Sequence, residues 1–228
     1  MNLIEHALAD GQPALTEHDA KRFLSELGIP VCRETLVADP GAAVAEAVRI
    51  GFPVVLKASG ATLVHKTEVG GVALNLRGER EVREESRRLL QIPGCDGLLV
   101  QEMVRGDREL VCGLVRDAEL GPCVMFGLGG IFTETLDDAV FRVAPLTHSD
   151  AMEMIAEIRS AKILGAFRGQ PPVSLEALSR ILVTLGEIGL RHDAIRAIDI
   201  NPVKIRADGA PVAVDALISL TPRGPARR

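Results

Sequence analysis

A chain of 228 residues, 47% hydrophobic and 25% charged, is long enough to bury a sizeable core, as one large domain or two small lobes. Its net charge of −5, with no basic run before the last few residues, argues against nucleic acid or an anionic membrane as the main partner. Trp and Tyr are absent, which weighs against stacking on single strands, and no apolar run approaches the roughly 18 residues of a membrane span.

Met1 to His6 lacks the basic and apolar regions of a signal peptide, so a cytoplasmic location is expected. Thr16 caps a first helix, with Asp19 suited to its positive first turn, and Gly28 and Pro30 end it. A short strand, Glu34 to Val37, precedes a helix with Asp39 as cap, Pro40 at its first position and Gly51 beyond its end. Pro53 to Ala58 reads as a buried strand that delivers Lys57 at its end. A loop around Leu63 to Gly71 holds His65, and a strand (Val72 to Leu76) and a charged helix (Glu79 to Gln91) follow.

Leu98 to Val104 is a third apolar strand, running into the turn Arg105-Gly106-Asp107. Further strands are expected at Glu109 to Val115, Cys123 to Gly127 and Ala139 to Ala144, then helices at Ser149 to Ser160 and Ser174 to Arg191. The chain closes on a hairpin, Ile195 to Ile205 and Val212 to Leu220, across Asp208-Gly209. This order predicts an α+β protein of two lobes, residues 1–96 and 97–220, with a cleft between them and a frayed tail, 221–228. Cys32, Cys95, Cys112 and Cys123 lack metal or redox spacing and read as small hydrophobes.

No Gly-x-x-x-x-Gly-Lys-Ser/Thr is present, so a P-loop is excluded. Lys57, at the end of an apolar strand, either snorkels to solvent or points at a phosphate oxygen. Glu102 sits in another apolar strand, where a carboxylate needs a reason, and Glu109 could reach a ribose hydroxyl. Asp199 and Asn201 are two apart and leave one face of their strand. A three-residue turn, Ala207-Asp208-Gly209, would pair Arg206 with Ala210 and bring Asn201 opposite Asp215; a two-residue turn would send Asp215 to the other face. Such an oxygen cluster suits Mg²⁺, or else it is a solvated polar face, and Pro202 argues for an edge strand.

Together, Gly51-Phe52-Pro53-Val54-Val55-Leu56-Lys57, His65-Lys66-Thr67-Glu68-Val69-Gly70-Gly71-Val72, Gln101-Glu102-Met103-Val104, Gly127-Leu128-Gly129-Gly130-Ile131-Phe132-Thr133-Glu134, Arg142-Val143-Ala144-Pro145-Leu146 and Asp199-Ile200-Asn201-Pro202 carry a resemblance. From about Leu3 to Leu220 the chain resembles the ATP-grasp β subunit of ADP-forming acyl-CoA synthetases such as acetate–CoA ligase. The resemblance implies an ATP-grasp fold with the nucleotide in the cleft between two α/β lobes.

The same resemblance implies ATP contacts from Lys57, Glu102, Met103, Val104 and Glu109, and Mg²⁺ ligands Asp199, Asn201 and Asp215. It implies His65 as a phosphohistidine that exchanges a phosphoryl group with ATP/ADP, and phosphate contacts from Gly129, Gly130 and Arg142. The sequence holds no Rossmann-type glycine fingerprint, so the resemblance also implies a CoA-binding α subunit as partner, in an α2β2 assembly. The alternatives are a stand-alone ATP-grasp carboxylate–amine ligase and a non-catalytic nucleotide-sensing module.

Overall fold

The computed structural model describes residues 3–60, 63, 69–129, 138–166 and 169–221. The elements run α1 (Leu3–Ala9), α2 (Glu17–Glu26), β1 (Glu34–Val37), α3 (Pro40–Ile50), β2 (Val54–Ser59), β3 (Val72–Leu76), α4 (Glu79–Leu89) and β4 (Gly97–Glu102). There follow β5 (Glu109–Asp117), β6 (Gly121–Leu128), β7 (Ala139–Val143), α5 (His148–Glu157), a 3-10 turn (Ala161–Leu164), α6 (Leu175–Arg191), β8 (Ile195–Ile205), β9 (Pro211–Ala213) and β10 (Leu217–Leu220). The helix starts follow from local chemistry. Thr16 Oγ1 accepts from the Asp19 N–H at 3.2 Å, and Asp39 accepts from the N–H groups of Gly41 and Ala42 at 2.7 and 3.0 Å.

Contacts divide the chain into two units, residues 32–104 and residues 1–31 with 105–228. The break expected at 95–97 is therefore displaced. β4 cannot open a second lobe, because it lies between β1 and β2 in a four-stranded sheet of order β1-β4-β2-β3. All its ladders are antiparallel. One face of this sheet carries Val54, Leu56, Ala58, Leu98 and Val100 against Val44, Ala47, Val82 and Leu89 of α3 and α4. Fully burying each large aliphatic contributes about 1.5–3 kcal/mol.

The larger unit is built on a six-stranded antiparallel sheet, order β10-β8-β5-β6-β7, with β9 also paired to β8. Helix α6 turns Leu178, Ile181, Leu182, Leu185 and Ile188 inward at helical spacing, onto Leu114, Val124 and Phe126 of the sheet. Its C-terminal carbonyls do not go unsatisfied: Arg116 donates to the oxygens of Gly189 and His192 at 2.7 and 3.2 Å.

Two expectations about the closing hairpin need correction. Pro202 does not mark an edge, because β8 pairs with β5 on one side and with β9 and β10 on the other. The chain after the turn is also not one strand: residues 214–216 leave the ladder between β9 and β10. Cys32, Cys112 and Cys123 are buried, Cys95 is partly exposed, and all four are free thiols. Among the described residues no helix is long and apolar enough to cross a membrane.

Candidate functional site

The face of the six-stranded sheet turned away from α5 and α6 carries the polar residues of interest. The register sets Leu217, Asp199, Gly113, Met125 and Phe141 in one row across β10, β8, β5, β6 and β7. Asp199 and Asn201, two apart on β8, open with Val111, Gly113, Met125 and Phe141 into one cavity of about 340 Å³.

The ladder shifts between Leu110 and Cys112, which pair with Val203 and Ile200, so Val111 faces both Asn201 and Pro202. This is a β-bulge, and Pro202, having no N–H to give a ladder, occupies it without loss. The extra residue resets the alternation. Lys204 therefore joins Asp199 and Asn201 on the open face, while Ile200, Val203 and Ile205 point into the core.

Asp215 reaches this site through the turn. Arg206 N–H donates to the Ala210 oxygen at 2.9 Å, closing the three-residue turn with Gly209 at φ +86°. Val203 pairs with Ala213 and Asp199 with Leu217, the same offset on both sides of the unladdered stretch, so Asp215 falls level with Asn201. The stretch is held by the Val214 N–H, which donates to the Pro202 oxygen at 3.2 Å, and by Lys21 Nζ, 3.4 Å from the Val214 oxygen.

Asp199 is exposed, yet the walls of the cavity desolvate its carboxyl and the neighbouring Asp215 charge repels it. Both raise its pKa above the ordinary aspartate range, desolvation the more. Two carboxylates and an amide oxygen are the hard donor set that a divalent cation such as Mg²⁺ takes.

Glu109 opens β5 directly across from Lys204, and Lys204 Nζ lies 2.9 Å from Glu109 Oε1 and 3.1 Å from the Gly106 oxygen. Gly129 packs next to it. Its N–H donates to the Glu109 oxygen at 2.8 Å, and a Cβ there would come within 2.8 Å of Leu110 backbone, so only glycine fits.

Arg142 is the exception. Phe141 and Arg142 alternate across β7, and Arg142 pairs with Glu157 of α5. The structure thus sets Arg142 on the helix-covered side, away from Asp199, and this corrects the expectation that it joins the phosphate contacts.

Lys57, Glu102, Met103 and Val104 belong to the smaller unit. Lys57 stands between Leu99 of β4 and Val72 of β3, on the face opposite the helices, and is buried. The carboxylate of Glu102 has its reason: it accepts from the Arg33 backbone N–H at 2.9 Å and pairs with the Arg33 guanidinium at 3.3 Å. The Glu102 N–H donates to the Arg33 oxygen at 2.9 Å, and the Met103 N–H to the Pro53 oxygen at 3.4 Å. Val104 is buried. His65 and Gly130 lie outside the described residues.

An ATP-grasp domain model matches residues 6–220. The chain belongs to the ATP-grasp family. It is 43% identical over 225 residues to the β subunit of ADP-forming acetate–CoA ligase I of Pyrococcus furiosus, covering 96% of both chains. Acetyl-coenzyme A synthetase 1 of Ca. Korarchaeum cryptofilum, solved with coenzyme A, Ca-AMPCP and HgCl+, superposes with a TM-score of 0.91 at 43% identity, over 96% of this chain and 98% of that one. The same synthetase solved with coenzyme A and Mg-AMPPCP, its phosphohistidine segment pointing towards the nucleotide-binding site, gives 0.85 at 43% identity, again over 96% and 98%. Within the family, then, the chain groups with β subunits of ADP-forming acid–CoA ligases, and it is a ligase subunit.

Two features of this ATP-grasp chain escape sequence reading. Lys204 was hidden by the bulge, for which the Asn201-Pro202 pair is the available signal. Lys21 and its partner Glu17 were hidden because a charged pair on an amphipathic helix ordinarily faces water, whereas here both are buried.

Proposed function

We propose that this chain is the nucleotide-binding subunit of an ADP-forming acyl-CoA synthetase. It exchanges a phosphoryl group between ATP/ADP and a phosphohistidine relay, so that acid, CoA and ATP interconvert with acyl-CoA, ADP and phosphate. The observation that supports this reading is the open face of the six-stranded sheet, where Glu109, Asn201 and Asp199 line up with Asp215 level beside them. The order matches a nucleotide diphosphate laid along the sheet, ribose hydroxyls on Glu109 and phosphates towards the aspartates.

Asp199, Asn201 and Asp215 would hold Mg²⁺, which when bound neutralises phosphate charge and polarises the transferred group. Lys57 adds an ammonium for the phosphate oxygens, and the backbone of Glu102, Met103 and Val104 receives the base. In the ATP-consuming direction the His65 imidazole nitrogen attacks the γ-phosphorus. The N–P bond forms as the bridging O–P bond breaks, and ADP keeps that electron pair. Gly129 and Gly130 remain candidate contacts for the travelling group. The phosphoryl group is passed on to a CoA-binding α subunit, in an α2β2 assembly, in the cytoplasm.

The test is incorporation of acid-labile ³²P from γ-labelled ATP, with and without the partner subunit. Wild type with Mg²⁺ acquires label and His65→Ala does not. Full ligase turnover by His65→Ala would instead favour a carboxylate–amine ligase that forms its acyl phosphate directly on ATP.

A further inference from the structure

We propose that Lys204 is a positioning residue that aims the carboxylate of Glu109 at the ribose of the nucleotide; this rests on the reading of Glu109 as the ribose contact. The two residues are direct cross-strand partners on the open face, with side chains only 20% and 31% exposed. Lys204 Nζ takes one carboxylate oxygen, Oε1, at 2.9 Å, and Oε2 has no hydrogen-bond partner among the described residues. One oxygen engaged fixes the plane of the carboxylate. The other is left to accept from a hydroxyl laid on the face.

The lysine is itself fixed, which an ordinary surface ion pair is not. Its second bond, 3.1 Å to the Gly106 oxygen, ends on backbone that cannot swing away. Gly106 lies so close to β8 that a Cβ there would collide with the Ile205 oxygen. Two residues on, the Arg108 oxygen accepts from the Ile205 N–H at 3.2 Å. Arg108 is 2% exposed, and its guanidinium donates to the oxygens of Gly165 and Pro171 at 3.3 and 2.9 Å. Lys204 thus stands on the bulged strand that carries Asp199 and Asn201 and ties the ribose carboxylate to it. The phosphate end and the sugar end of the site then keep a constant spacing. A carboxylate without this partner would rotate freely at the start of β5.

The test is calorimetric binding of ADP, 2′-deoxy-ADP and 3′-deoxy-ADP, with Mg²⁺, to the 228-residue chain and to Lys204→Met, Lys204→Arg, Glu109→Gln and the Lys204→Met/Glu109→Gln pair. Lys204→Met is expected to weaken ADP binding about tenfold, the scale of one charge-assisted hydrogen bond, and to erase most of the preference for ADP over the deoxy analogues. Lys204→Arg restores the preference. In the Glu109→Gln background Lys204→Met adds nothing.

Equal losses for ADP and both deoxy analogues would overturn the proposal, since Lys204 would then act on the phosphates or on folding. An undiminished effect of Lys204→Met in the Glu109→Gln background would overturn it too. If Glu109→Gln keeps the wild-type preference, the ribose reading falls and the proposal with it; if Glu109→Gln loses the preference and Lys204→Met keeps it, only the positioning role falls.

Discussion

Lys21 and Glu17 form an ion pair inside the protein, Nζ 2.7 Å from Oε1, with side chains 1% and 4% exposed, directly behind the segment that carries Asp215. Removing water from two charges is costly, and their attraction offsets that cost only while both are present. Lys21→Met should therefore destabilise the chain by about 3–5 kcal/mol, because it leaves the Glu17 carboxylate buried without the lysine charge. The double variant Glu17→Leu/Lys21→Met removes both charges and should lie near wild type in stability. Urea unfolding followed by circular dichroism checks both, and a single variant as stable as wild type would refute the argument.

The Asp215 charge repels Asp199, whose own carboxyl is partly desolvated, and a bound cation would relieve that repulsion. Asp199→Asn should accordingly melt no lower than wild type in EDTA. With Mg²⁺ and ADP present, wild type should gain several degrees and Asp199→Asn almost none. Loss of stability in EDTA would mean that Asp199 is holding the fold rather than a ligand.

Cys112 faces the core from β5, and burial alone pushes its thiol pKa up to about 12. The thiolate is the reactive form, so Cys112 should resist iodoacetamide in the native chain at neutral pH and react only once the larger unit unfolds. Partly exposed Cys95 is expected to be labelled first. Mass spectrometry of peptides after timed alkylation measures both rates.

The features legible in the sequence were those fixed locally. Thr16, Asp39 and Gly51 end or begin helices through contacts within a few residues, and the turn at 207–209 sets a register that carries Asp215 to Asn201. What escaped depended on neighbours distant in sequence. Glu102 is explained by Arg33, 69 residues away, and β8 lies inside the sheet because β5 and β10 flank it, which no pattern within 195–205 reveals. Strict alternation from Asp199 turns Lys204 to the wrong face, since a single bulged residue reverses it. Arg142 failed for the reverse reason: alternation holds through β7 and carries it away from Phe141 and the cavity.

Asp138 precedes β7 and is buried, where desolvation raises a carboxyl pKa. Its hydrogen bonds with Ser160 and the N–H of Arg159, together with the Arg159 charge, outweigh that and lower it below the ordinary value of 3.8. The backbone donors lie 2.7 and 2.8 Å from its two oxygens, just beyond the end of α5. A carboxyl whose folded value is depressed binds its proton more readily when unfolded. Its contribution is therefore whole above the ordinary aspartate value and is lost as pH falls through the lower, folded one. Asp138→Ala leaves both N–H groups short of an acceptor and should cost about 2–4 kcal/mol near neutral pH. As pH falls through the folded value the difference from wild type should shrink, because the wild-type carboxylate is then being protonated as well. Urea midpoints at pH 7, 5 and 3 would check the trend, and a gap that widened towards acid would contradict the assigned direction.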